Sequence, residues 1–504
     1  MYGTIWALVP PIVAILLALL VKEAYVSLFA GVLLGALFVS GFNPVATLDT
    51  VVNDGLIAAI GDNAGIFLFL VLLGIIVALV NRAGGSAAFG RWAANNIKTR
   101  VGALLATFLL GVLIFIDDYF NCLTVGSVMR PVTDNHRISR AKLAFLIDAT
   151  AAPICMIAPV SSWAAAVSGV ADDLGTGISG IQLFIRAIPY NFYSLLTLVF
   201  IIALALMNFD YGPMRVAEMA AQLNGDLGAQ EGSEDADANP RGRVIDLLLP
   251  VIVLILTCTV GMLYVGGYFG GDCADDFIGA FGNTDAFVAL PWGAVISLVF
   301  TFLYFLCRRV LSFKEAAECI PQGFVAMVPP MIILTLAVSL KTMTSSLGAA
   351  DFVHDMMLGA AQGLYSLLPA VIFVVAVALA FASGTSWGTF GILIPIVCAI
   401  FPADSRLLII GISACLAGAV CGDHCSPISD TTIMASAGAQ TDHLQHVSTQ
   451  LPYALTVAGV SFVTYIVAGF VQNALISLAA GIVLTVAALF VIRRFAAKDT
   501  APAA

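Results

Sequence analysis

Charge is scarce in this chain. Only 10% of its 504 residues are Asp, Glu, Lys or Arg, against about 25% in an ordinary soluble domain, so there is too little polar surface to coat a water-soluble body of this size. Soluble enzymes and secreted scaffolds are excluded on that ground. The 21 Lys and Arg are outnumbered by 31 Asp and Glu, giving a net charge of -10, a sign that repels nucleic acid and anionic surfaces. A disulfide framework is also missing. Ten cysteines lie scattered through apolar segments, among them Cys122, Cys155, Cys258, Cys307, Cys398 and Cys415, and read as small core residues. The tightest cluster, Cys421, His424 and Cys425, lacks the further ligand that a zinc site requires, so no cofactor is expected. No nucleophile and base motif, metal set or phosphate loop appears, so no enzyme is expected either.

What is abundant is apolar sequence, 61% of the chain. Uninterrupted apolar runs predict membrane spans near 4–21, 24–42, 63–81, 142–169, 183–207, 244–269, 286–306, 325–345, 406–422, 450–472 and 473–491. The first run has no Lys or Arg before it and no small-residue cleavage site after it, and is read as a retained span. Two further stretches, 101–130 and 366–402, carry polar breaks: Asp117, Asp118, Tyr119 and Asn121 in one, Ser383, Gly384, Thr385 and Ser386 in the other. Such breaks survive at membrane depth only inside protein or along a water-filled cavity.

Arg82, Arg91, Lys98 and Arg100 precede the first broken stretch and Arg130, Arg137, Arg140 and Lys142 follow it. Both ends therefore belong on the cytoplasmic side, which makes the stretch a re-entrant hairpin with arms of about 22 Å. Carried forward, this sidedness puts Asp172 and Asp173 outside, Arg215, Arg241 and Arg243 inside, and the loop of Asp272, Asp275 and Asp276 outside. Arg308, Arg309 and Lys314 then fall inside, and the second hairpin enters from outside beside Asp351, His354 and Asp355. Arg493, Arg494 and Lys498 place the C-terminus in the cytoplasm and the N-terminus outside.

The two halves look alike. Phe115 to Thr124 corresponds to Phe381 to Phe390 and Ala149 to Trp163 to Ala414 to Asp430, and Pro159-Val-Ser161-Ser matches Pro427-Ile-Ser429-Asp. Five spans and a hairpin per half, with five being odd, imply opposite orientations: an inverted-topology repeat, as in secondary transporters. The expected fold is thus an all-α polytopic membrane protein of about 11 transmembrane helices plus two re-entrant hairpins. Its parts are a first repeat (1–207), an acidic cytoplasmic linker (208–243) that is disordered over 224–240, a second repeat (244–472), and a final helix with a cytoplasmic tail (473–504).

Ionisable side chains in a bundle are functional candidates because they are costly unless paired or hydrated. The richest run is Gly422-Asp423-His424-Cys425-Ser426-Pro427-Ile428-Ser429-Asp430-Thr431-Thr432. Proline ends the preceding helix, and an unwound segment would offer carbonyls beside Asp423 and Asp430, the hard oxygen donors an alkali cation needs. The counterpart run carries Asp148, Thr150, Pro153, Pro159, Ser161 and Ser162; Asp148 is either a proton carrier or a partner of Lys142. Asp117 and Asp118 read as a proton store, since adjacent dry carboxylates resist joint ionisation. Ser383, Thr385, Ser386 and Thr389 begin a helix whose free N–H groups suit an anion. Lys341 is expected to snorkel to the outer face, and His136, His443 and His446 to be surface residues.

The runs GDHCSPISDTT (422–432), SGTSWGT (383–389), FIDDYFNCLTVG (115–126) and RPVTDNHRISRAKLAFLIDATAAP (130–153) resemble the NhaC-type sodium:proton antiporter family over most of the chain outside the linker. The resemblance implies an inner-membrane secondary transporter, commonly dimeric, that exchanges Na+, or Li+, for H+ by alternating access, though relatives carry carboxylates or amino acids. It places Asp423, Ser426, Ser429 and Asp430 in the transport region, with Asp117, Asp118 and Asn121 opposite. Thr431 and the tip residues Ser383, Thr385 and Ser386 complete the expected site, with Na+ at Asp423 and Asp430. The alternative is a sodium- or proton-coupled carrier of a small amino acid or carboxylate, with Tyr119, Trp163 and Trp387 covering its apolar part. Lipid, a small cation and a second copy of the chain are the expected partners.

Overall fold

The computed structural model describes residues 2–21, 24–115, 118–158, 161, 163, 167, 180–229, 239–271, 273–349, 351–352, 365–402 and 405–498. Asp117, Ser162, Asp172, Asp173, Asp272, His354 and Asp355, all singled out above, lie outside the described residues, as does 230–238 of the linker. The described residues are helical, with no strand beyond one isolated bridge between Ala229 and Thr441.

The main helices are α1 (Val9–Val21), α2 (Ala24–Val39), α3 (Ala64–Arg82), α4 (Arg100–Leu113), α5 (Asp118–Asn135), α6 (Arg140–Asp148), α7 (Phe192–Met207), α8 (Gly212–Asn224), α9 (Ile245–Val265), α10 (Ala286–Cys307), α11 (Phe313–Ser346), α12 (Leu368–Ser383), α13 (Ser386–Ile400), α14 (Arg406–Cys425), α15 (Asp430–Ala439), α16 (His443–Val471) and α17 (Ala474–Lys498). Six of them are long and apolar enough to cross a membrane: α3, α9, α10, α14, α16 and α17. A seventh crossing is available if Gln182–Tyr190 and α7, bent by 46°, form one span. This is a multi-pass membrane protein.

Both breaks read in the sequence are present. Asn121 turns its amide onto the carbonyls of Gly111 (2.7 Å), Ile114 (2.7 Å) and Thr150 (3.2 Å), which stitches the α4–α5 break shut. At the α12–α13 break, Gly384 adopts φ +64°, a left-handed conformation that costs glycine little, and Thr385 caps α13 by accepting from the Gly388 N–H at 3.3 Å. The stretch 142–169 is not the simple span expected. Pro153 can neither donate to nor clear the carbonyl four residues back, and α6 stops at Asp148, followed by a four-residue helix, Ala152–Cys155. The linker likewise contains a helix, α8, that was not anticipated.

The helix carrying the acidic motif is the most enclosed: 89% of the α14 window lies inside the protein. It packs along α12 through glycine. A Cβ at Gly422 would lie 2.2 Å from the Val377 oxygen, and one at Gly418 would lie 2.5 Å from that of Phe373. The small side chain is what lets two backbones approach without lipid between them. On its other sides α14 meets α13, α16 and α7, while α15 packs on α5, α6 and α11.

Candidate functional site

The local sequence explains why the acidic motif bends where it does. Pro427 forces Ser426 into an extended conformation (φ -82°, ψ 133°), and Ser429, also extended, caps the next helix. The interruption is shorter than the unwound stretch expected over 422–432. It covers only Ser426 to Ser429, so Asp423 sits on the last turn of α14 and Asp430 on the first turn of α15. Two of the motif's carbonyls are already used. The Pro427 oxygen is bonded by His443 Nε2 (2.7 Å), and that of His424 by Gln450 Nε2 (2.5 Å) and the Thr432 hydroxyl (3.4 Å). The motif's carboxylates and hydroxyls lie beside them.

Asp423 is 2% exposed. Its Oδ2 accepts from the Ser386 hydroxyl at 2.6 Å and the Ser386 N–H at 3.2 Å, while Oδ1 has no hydrogen-bond partner among the described residues. The N-terminus of α13, expected to await an anion, therefore faces a carboxylate of the protein itself. Asp430, partly exposed, accepts from the Tyr119 hydroxyl at 2.7 Å and from the Thr431 N–H at 2.8 Å. The two carboxylates are close enough to repel each other, and the Lys341 charge also reaches Asp430. Lys341 is half-buried, and its neighbour Leu340 packs in one apolar cluster with Ile428 and Ile433, which bracket Asp430. That placement favours an internal counter-ion over the snorkelling lysine expected from sequence.

Most of the expected residues converge. Asp118 and Asn121 open α5, which lies along α15; the Cys122 thiol reaches the Thr431 carbonyl at 3.7 Å. The Asn121 amide nitrogen is committed to the break, but its Oδ1 has no partner among the described residues. The Ser429 and Thr431 hydroxyls are 3.0 Å apart beside Asp430. Ser426 is the exception: it donates to the Phe381 carbonyl at 2.8 Å and so ties α14 to α12. Ser383, at the end of α12, has a buried hydroxyl oxygen without a partner among the described residues. Trp163 is fully buried against Trp387 (centroids 5.9 Å apart) and Phe390 (6.1 Å).

The histidines do not sit at the surface. His424, His443 and His446 are 1%, 6% and 0% exposed, and His136 is half-buried with its ring between the Val132 and Ile97 carbonyls. Asp148 does not pair with Lys142, which bonds Asp210 at 2.5 Å. Instead Asp148 meets His424, His446 and Gln450. The missed signal was the spacing of His446 and Gln450, four apart on one helix face. Among the described residues no group of three or more His, Cys, Asp or Glu is arranged to hold a metal ion.

Asp210 lies in the loop between α7 and α8. Burial pushes its carboxyl up, but the charges of Lys142 and Arg100 and the Tyr453 hydroxyl outweigh that and hold it below the usual carboxylate range. Arg100 also pairs with Glu218 of α8, whose carboxylate accepts from the Ser139 N–H at 2.8 Å.

An uncharacterised protein of Haemophilus influenzae is 36% identical over 98% of this chain and 96% of its own. An arginine/ornithine antiporter of Halobacterium salinarum is 27% identical over 48% of this chain and 45% of its own. A malate-2H(+)/Na(+)-lactate antiporter of Bacillus subtilis is 35% identical over 18% of this chain and 20% of its own. The profile of the Na+/H+ antiporter family matches residues 158–470, a stretch that contains Ser386, Asp423 and Asp430, and the chain belongs to that family of membrane transporters.

Proposed function

We propose that this protein exchanges Na+, or Li+, for H+ across a cell's inner membrane by alternating access. The observation that carries the reading is the pair Asp423 and Asp430 on facing helix ends, one oxygen of Asp423 unbonded among the described residues and the Ser429 and Thr431 hydroxyls beside them. Two neighbouring carboxylates that repel one another, one of them buried, gain by taking up either a proton or a cation, and a site that holds one at a time exchanges them. Asp118 and the Asn121 oxygen would face this site from α5, and Asp117 would join them from the same tip.

The starts of α12, α13 and α14 follow those of α4, α5 and α6 at a near-constant offset of about 267 residues. This supports two inverted repeats, 1–207 and 244–472, each with five spans and a re-entrant hairpin, joined by the linker 208–243 and followed by 473–504. In this reading the N-terminus is outside, the C-terminus cytoplasmic, and the working unit a homodimer in lipid.

A second reading keeps the fold and makes a small amino acid or carboxylate the cargo. Lys341 favours it, because a lysine beside the break would pair with a carboxylate of the solute, and the named relatives include antiporters of arginine/ornithine and of malate and lactate. Proteoliposomes with a pH-sensitive dye inside, challenged with Na+, Li+, K+ or an amino acid mixture, separate the two. Proton movement on Na+ or Li+ alone, lost in Asp430→Asn and in Asp423→Asn, is expected; a response only to an organic solute would replace the first reading with the second.

A further inference from the structure

A second buried polar centre brings Asp148 of α6 together with His446 and Gln450 of α16 and with His424, the residue after Asp423 on α14. Asp148, at the end of α6, is 0% exposed. Its Oδ2 accepts from Gln450 Nε2 at 2.8 Å and lies 3.2 Å from His446 Nε2, and its Oδ1 lies 3.4 Å from His424 Nδ1. Much of the hydrogen-bonding capacity here is unused. Beyond the Asp148 Oδ1 and His424 Nδ1 contact, His446 Nδ1, His424 Nε2 and Gln450 Oε1 are buried without hydrogen bonds among the described residues. A buried polar atom left unmade costs about 1–3 kcal/mol, so this density of open positions marks a place for a small polar guest, and protons with water fit it.

We infer that Asp148 and His446 form a proton-binding site separate from the carboxylates that take the cation. The inference rests on the antiport reading above. With Asp148 ionised and neither imidazole protonated, this cluster would carry a net negative charge in the protein interior. One proton taken from hydronium, which leaves as water, converts the Asp148 and His446 pair into an internal ion pair or a neutral pair and removes that net charge. The titratable groups facing the pair are His424, Cys421 and Cys425 from α14, His443 on α16, and Tyr193 from α7, with Asp442 and Asp423 acting from farther off through His443 and His424. Lys142, on Asp148's own helix, is committed to Asp210.

The site is also placed to report on the cation. Gln450 bonds both Asp148 and the His424 carbonyl, and His424 follows Asp423 on the last turn of α14. Asp148 comes from the first half of the chain and its partners from the second. A change in its charge therefore acts across the contact where the halves meet.

The test uses the full chain in proteoliposomes, comparing Na+-driven proton movement with exchange of labelled Na+ for unlabelled Na+. In Asp148→Asn and in His446→Gln, proton movement is expected to fall about tenfold or more while Na+/Na+ exchange persists. Equal loss of both activities in variants that melt like the parent, or no loss of either, would overturn the proposal. Infrared difference spectra of the purified protein across pH give a readout independent of transport. A pH-dependent change in carboxyl or imidazole bands that is missing in Asp148→Asn is expected, and difference spectra identical in parent and variant would refute the site even if Na+:H+ exchange stands. A parent protein with no Na+-driven proton movement but with that spectral change would overturn the antiport reading alone.

Discussion

The bond between Ser386 and Asp423 gives a quantitative test of the cation site. One hydroxyl has one hydrogen to give. At 2.6 Å to Asp423 Oδ2 and 3.2 Å to the Ala419 carbonyl, the carboxylate is the better placed acceptor. Hydrogen bonds to ionised groups contribute about 1.5–3 kcal/mol, and every ~1.4 kcal/mol is tenfold in an equilibrium constant. Ser386→Ala leaves Oδ2 with the backbone N–H alone and removes a hydroxyl ligand from beside the unbonded Oδ1. The ionised form that receives Na+ is thereby disfavoured. The KM for Na+ at fixed pH is expected to rise about 10- to 100-fold, with kcat changed far less. Ser386→Cys, keeping a weak donor, is expected to fall between. Initial rates of dye response against Na+ concentration measure both constants. A KM within about twofold of the parent, or a fall in kcat with KM unchanged, would refute the assignment of Asp423 as a cation ligand held by α13.

Further consequences follow from the same contacts. Tyr119→Phe removes the donor to Asp430 and is expected to raise the KM for Na+ by about 2- to 10-fold, read in the same assay. Gly422→Ala would drive a methyl into the Val377 oxygen and the Ala380 side chain. At about 1–3 kcal/mol for overpacking it should lower the Tm in detergent, with Gly459→Ala, where a Cβ meets nothing within 4 Å, as the neutral control. Asp210 is held below the usual carboxylate range, so it stabilises the fold above the unfolded value of about 4, and that stability is lost as pH falls through its folded value. The Tm deficit of Asp210→Asn should therefore be full at neutral pH and shrink in acid; a deficit independent of pH would refute the linkage.

Helix positions were legible from the sequence because apolar run length is a one-dimensional property, and the ends of α3, α10 and α14 fall within a few residues of the runs that announced them. The breaks at Gly384 and Pro427 were legible because glycine and proline act on their own backbone. What could not be read were bonds between distant segments. Nothing local to Asp148 says that its partners are His424, His446 and Gln450 about 300 residues on, and a histidine four residues after an Asp in a polar stretch reads as a surface group until the packing encloses it. The same holds for Tyr119 and Asp430. Nor did the motif reveal that the Pro427 and His424 carbonyls would be bonded by His443, Gln450 and Thr432, since two of those donors come from another helix and the third from the next one.

Those occupied carbonyls, together with the Ser386 bond, bear on the choice of cargo. A helix N-terminus is the feature that would hold a solute carboxylate at a membrane break. In this chain the first N–H of α13 is bonded to Asp423 and the Gly388 N–H to the Thr385 hydroxyl. An organic anion taking the Ser386 N–H would have to displace Asp423, leaving that carboxylate buried and unpaired at a cost of several kcal/mol. A cation has no such competitor. It would bind Asp423 Oδ1 while Ser386 keeps Oδ2 in place, which is the arrangement the proposed Na+ site requires. Lys341, whose charge reaches Asp430, is a group that would favour an anion, which makes Lys341→Met the discriminating variant. If the cargo is Na+, removing a competing positive charge beside Asp430 should lower the KM for Na+; if the cargo is an organic carboxylate, the same change should abolish its transport.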